Sequence, residues 1–129
     1  MSAIDQLPPW KIYLSAAEEA ARQGNSENAD ELYDRAINVA QESLGATNKE
    51  FGVILSSIAD TYVKRGNYDK AQDLYSKAVF VYESSFGSGH PIVALALRNL
   101  AEVYADMGMH EQAERERRRV TDILKEYLI

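Results

Sequence analysis

The stretch Leu55-Ser56-Ser57-Ile58-Ala59-Asp60-Thr61-Tyr62-Val63-Lys64-Arg65-Gly66-Asn67 has a second copy in Leu97-Arg98-Asn99-Leu100-Ala101-Glu102-Val103-Tyr104-Ala105-Asp106-Met107-Gly108-Met109. Leu55, Ile58, Ala59 and Tyr62, like Leu97, Leu100, Ala101 and Tyr104, recur at the intervals of an amphipathic helix. The glycine after each supplies a left-handed conformation that ends such a helix cheaply. Outward from this pair the register holds along the chain. Gly24, Gly66 and Gly108 are spaced by 42 residues, as are Ala17, Ala59, Ala101 and Ala29, Ala71, Ala113. Other columns change conservatively: Ala20, Tyr62, Tyr104; Val39, Val81, Ile123; Leu44, Phe86, Leu128. A period of this size marks stacked units, each resting on its neighbours.

Each unit reads as two helices around its glycine. Ala71, Leu74, Tyr75, Ala78, Val79 and Tyr82 form the apolar stripe of a second helix, with the tyrosines filling gaps between units. Asn25 and Asn67 are placed to cap the second helices, and Gly45 and Gly87 to close them. Pro91 suits the first turn of a helix, and Pro8-Pro9 play the same part before Trp10. The expected fold is all-α, an α-solenoid of three antiparallel helix pairs. Residues 1–9 form a lead-in, and one domain spans 10–129 with repeats at about 10–45, 50–87 and 91–129.

Composition excludes several function classes. The chain has 129 residues, 46% hydrophobic and 26% charged, which is ordinary for a folded domain. Its net charge of −6 argues against nucleic acid, whose phosphates need a basic surface. The acidity is local: residues 1–51 carry nine acids against four bases, and residues 111–129 carry five of each. With no cysteine, disulfides, thiolate chemistry and cysteine-based zinc sites are out. No run approaches the roughly 18 apolar residues of a membrane span, and nothing resembles a signal peptide. No membrane insertion and a cytoplasmic location are therefore expected.

Chemistry is sparse. There is no Gly-rich phosphate loop and no nucleophile–base set, so no catalytic residue, cofactor or metal is expected. His90, in a loop, is expected to bond nearby backbone. His110, in the column of Tyr68, is expected to pack at the start of a second helix.

These residues resemble the tetratricopeptide repeat, in the 42-residue variant of kinesin light chains, over residues 10 to 128. The segment Phe86-Gly87-Ser88-Gly89-His90-Pro91-Ile92-Val93-Ala94 looks like that variant's inter-repeat loop, and Leu97 to Gly108 like its first helix. The resemblance implies a right-handed superhelix whose first helices line a concave groove, where a peptide or helix of a protein partner lies. The groove positions are then Lys11, Ser15 and Glu18, with Leu14 and Arg22, in the first unit. They are Ser56, Ser57, Asp60 and Lys64, with Val53, in the second. In the third they are Arg98, Asn99 and Glu102, with Leu95 and Asp106. Asn99 matches the second of two asparagines that bond ligand backbone in the kinesin-light-chain variant; Arg98 replaces the first, and Ser56-Ser57 replace both in the middle unit. An amide suits that task because it donates and accepts. The implied role is a non-catalytic adaptor or scaffold.

The last second helix differs. Where units one and two carry Leu32, Tyr33 and Leu74, Tyr75, the third has Glu116 and Arg117, as a solvent-facing helix would. Arg115, Arg117, Arg118 and Arg119 alternate with Glu111, Glu114 and Glu116, an arrangement suited to ion pairs along the helix. Val120, Ile123, Leu124, Tyr127 and Leu128 then make an apolar stripe. Part of it must pack inward; Leu124, Tyr127 and Leu128, with Ile129, offer a face for a homo-oligomer. That is the alternative expectation: a self-associating assembly subunit.

Overall fold

Each first helix stops on the same hydrogen-bonded turn. In the first, Asn25 N–H donates to Ala20 O at 2.9 Å and Gly24 N–H to Ala21 O at 3.1 Å. Asn67→Tyr62 and Gly66→Val63 repeat this at 2.9 Å each, and Met109→Tyr104 and Gly108→Ala105 at 2.8 and 3.0 Å. The three glycines hold φ of 77°, 75° and 78°, the left-handed conformation the turn requires.

The computed structural model describes residues 6–128; residues 1–5 of the expected lead-in and Ile129 lie outside the described residues. The helices are α1 (Pro9–Arg22), α2 (Ser26–Leu44), α3 (Lys49–Lys64), α4 (Tyr68–Phe86), α5 (Pro91–Asp106) and α6 (His110–Tyr127). Among the described residues there is no strand. The chain is all-α, and its helices form three pairs.

Caps follow the sequence closely. Asn25 and Asn67 side-chain oxygens accept from the N–H of Asn28 and Lys70, both at 3.3 Å. Met109 has nearly the backbone angles of Asn67 (φ −89°, ψ 68° against −88°, 77°) but no side-chain cap. Asn48 and His90, 42 residues apart, do equivalent work before α3 and α5. Asn48 Oδ1 accepts from Glu50 N–H at 2.8 Å, and His90 Nδ1 from Ile92 N–H at 3.1 Å.

The chain divides into two compact units, Met1–Ala46 and Thr47–Ile129. In the first, α1 packs on α2; Trp10, Ala17 and Ala20 are buried on one helix and Ala29, Tyr33, Ala36 and Ala40 on the other. In the second, α3 packs on α4, α4 on α5 and α5 on α6. Leu55, Ile58, Leu97, Val81, Val93 and Val103 are almost wholly enclosed there. Side chains of this kind each contribute about 1.5–3 kcal/mol by burial. The alanine columns 17/59/101 and 29/71/113 are 0–1% exposed throughout, which lets paired helices approach closely.

Two expectations need correction. Glu116 does not face solvent: its side chain is 12% exposed, and its Oε2 is shut off from water. Arg119 draws it down, with Nη1 3.5 Å from Glu116 and Nη2 3.4 Å from Glu83 Oε2 on α4. His110, the first residue of α6, is exposed rather than packed. The expected pairing along α6 occurs at Arg118–Glu114, 3.7 Å apart, and at Arg119–Glu116.

Candidate partner-binding surface

Val53 on α3 and Leu95 on α5 share one column and are 55% and 53% exposed, against the general burial of apolar residues on these helices. Two turns on, Asp60 and Glu102 share another column, and both are exposed. Between these helices' polar positions lies a group the sequence reading assigned to the core, the hydroxyl of Tyr75 on α4. Its residue is 4% exposed, and its hydroxyl donates to Asp60 Oδ1. Burial first, then the bond to Asp60 and the charges of Asp60 and Glu102, push this phenol well above the ordinary tyrosine range. Asp60 thus holds the hydroxyl, and the charge of Glu102 acts on it from α5. The signal was the column Tyr33, Tyr75, Arg117, where a polar tip recurs on an otherwise apolar stripe.

Other groove positions are placed as follows. Ser57, Lys64, Arg98 and Asp106 are exposed, while Ser56 and Asn99 are half-buried. Ser56 bonds the Tyr82 hydroxyl, partly offsetting the burial that raises that phenol's pKa. Gln72 Nε2 donates to the Tyr104 hydroxyl at 3.3 Å, tying α4 to α5 beneath the strip. In the first unit Lys11, Ser15, Glu18 and Arg22 are exposed on α1 and Leu14 is half-buried. There Glu19 pairs with Arg22, which holds the Glu19 carboxyl below its ordinary value.

On α6, Ile123 is buried and Val120 half-buried, while Leu124, Tyr127 and Leu128 are 37%, 65% and 79% exposed. His90 is engaged structurally: besides capping α5 it stacks on Phe86 with ring centroids 4.6 Å apart. Among the described residues no group of three or more His, Asp or Glu could hold a metal ion. No described helix is long and apolar enough to cross a membrane. On α3 and α5 the surface therefore offers apolar contact, carboxylates, two bases and an amide, which together suit recognition of side chains and backbone.

A chain of repeated helix pairs, whose first helices each end on the same glycine turn, is a helical-repeat protein. The tetratricopeptide repeat profile matches residues 12–78 and again residues 50–126, and the chain belongs to that family. No curated protein matches it. Among solved structures it is similar to BtubC (BKLC) from P. vanneervenii, with a TM-score of 0.71 and 20% identity over 91% of this chain and 46% of that one. It is also similar to the N-terminal domain of stress-induced protein-1 (STI-1) from C. elegans, with a TM-score of 0.66 and 17% identity over 95% and 88%. The chain spans less than half of the BtubC chain, and identities this low speak for the fold. Tetratricopeptide repeats are protein–protein interaction modules, and this chain is one.

Proposed function

We propose that the chain is a non-catalytic adaptor or scaffold acting in the cytoplasm, its three helix pairs working as one domain. A peptide or helix of a partner protein lies along the first helices, and no nucleic acid takes part. The repeated exposure of Val53 and Leu95 beside Asp60 and Glu102 carries this reading, because apolar side chains are left in water at matching positions of two successive first helices. Val53 and Leu95 receive apolar side chains of the ligand, Arg98 and Lys64 its carboxylates, and Asn99 its backbone. Affinity capture from native lysate tests it. Arg98→Glu with Asn99→Ala loses the proteins that wild type retains, with helicity and melting unchanged; undiminished capture sinks the groove reading.

A second reading has its own observation. Leu124, Tyr127 and Leu128 leave a patch of apolar surface at the end of α6, which favours self-association. Leu124→Asp with Leu128→Asp then converts an oligomer to a monomer in light scattering after size exclusion.

A further inference from the structure

The third helix pair bears an open cleft where the second pair bears a helix. On α4, Leu74, Tyr75, Ala78 and Val79 are all buried, at 0–5% exposure, on a helix that α5 packs against. One period later the same columns hold Glu116, Arg117, Val120 and Thr121, half-buried or exposed. Arg117, Val120 and Thr121 of α6 join Arg98, Ala101 and Glu102 of α5 to line a cleft of about 380 Å³. The seat that α5 occupies on α4 thus recurs, unfilled, on the α5–α6 pair.

The first helix carries the matching face. Ala96, Leu100 and Val103 of α5 are buried, whereas their counterparts on α1, Ile12, Ala16 and Glu19, are exposed, Ile12 at 40%. These positions lie along one side of a helix. The α5 helix has both α4 and α6 as neighbours, and α1 packs on α2 within its unit. The extra buried side of α5 is the one turned to α4, and α1 presents its equivalent unburied. Charge agrees with shape. Glu102 on α5 lies close enough to the Tyr75 hydroxyl to act on it electrostatically. In the corresponding columns stand Glu18 on α1 and Arg117 on α6, opposite charges that are both exposed. Residues 1–51 carry nine acids against four bases, while residues 111–129 are balanced, so the complementarity is local to Glu18 and Arg117.

We infer that the α5–α6 cleft receives the α1 helix of a second copy of this chain, head to tail, with Glu18 of one copy against Arg117 of the other. The joint buries Ile12 and Ala16 over Val120 and Thr121. Such a contact is heterologous: the surfaces on the two copies differ, so growth does not stop at two unless a ring closes.

Sedimentation velocity of the full chain over a range of concentrations tests this. The wild-type sedimentation coefficient rises with concentration. Arg117→Glu alone and Glu18→Arg alone each weaken association by roughly tenfold or more, since like charges now meet. Mixing the two single variants restores it, because each joint then pairs opposite charges, and the double variant associates with itself. Circular dichroism of each variant confirms that the helices are intact. A wild type that stays monomeric overturns the inference. So does association that survives in both single variants, or a mixture that fails to recover, as a symmetric α6-to-α6 dimer would give.

Discussion

Gly52 of α3 lies against the ring of Tyr82 on α4, so closely that a β-carbon there would come within 2.8 Å of Cε1 and 3.0 Å of Cζ. The ring cannot easily give way, because Tyr82 is 6% exposed and its hydroxyl is bonded to Ser56. The other pairs share out volume in these columns differently, with Trp10 and Ala40 in the first and Ala94 and Leu124 in the third. Gly52→Ala is therefore expected to lose about 1–3 kcal/mol to overpacking, against a gain of about 1 kcal/mol in helix propensity. In a Tyr82→Leu background the same change becomes stabilising. Urea denaturation of the four members of this cycle checks the change of sign.

Tyr75→Phe removes the bond to Asp60 and costs about 0.5–1.5 kcal/mol near neutral pH. Its pH dependence is the sharper test. A folded-state pKa raised above the unfolded value gives stability that is whole below about pH 10 and lost above it, as the unfolded phenol ionises and the folded one does not. The gap between wild type and Tyr75→Phe narrows as alkalinity increases beyond that point. A gap that stays constant would mean that the folded chain does not hold the phenol's pKa above its unfolded value.

Met109 stands where Asn25 and Asn67 cap the other second helices, with the same backbone angles. Met109→Asn installs the missing bond to the first turn of α6 and raises stability by a few tenths to about 1 kcal/mol. Asn67→Ala lowers it by about 1 kcal/mol. Thermal unfolding followed at 222 nm reads both.

Arg119 joins Glu83 on α4 to Glu116 on α6. Removing the cation leaves a carboxylate oxygen that is screened from water, so Arg119→Met is expected to cost about 1–3 kcal/mol. With Glu116→Leu, the residue of columns 32 and 74, most of that loss disappears. Equal losses in both backgrounds would show that Arg119 acts through Glu83 or packing and not through Glu116.

Glycine and asparagine positions were legible in the sequence because their work is local. Gly66 ends α3 and Asn67 starts α4 through bonds to residues within five places along the chain. The apolar stripe of α4 was legible for the same reason, since helical period alone puts its residues on one side. What failed were inferences carried from column to column. His110 inherits the place of Tyr68 without its burial, since inheritance of a place along a helix does not bring a neighbour to cover it. Glu116 was read as a surface residue because it replaces leucine, but its environment is set by Arg119 and, through it, Glu83, a pair 36 residues apart. Tyr75 was taken for core filling, and its ring is buried; the position of its hydroxyl depends on Asp60, fifteen residues away on another helix.

At Gly66 the structure leaves empty space around the place where a β-carbon would sit, with nothing within 4 Å. The barrier to substitution is thus not crowding but the dihedral angle, a matter of chirality. L-alanine fits the room and opposes the turn, at roughly 1–2 kcal/mol. D-alanine takes positive φ as its own preferred region, so it would hold the turn while sparing the unfolded chain glycine's excess freedom. The repeat is punctuated at these sites by a requirement for handedness, which twenty genetically encoded residues can meet only by having none.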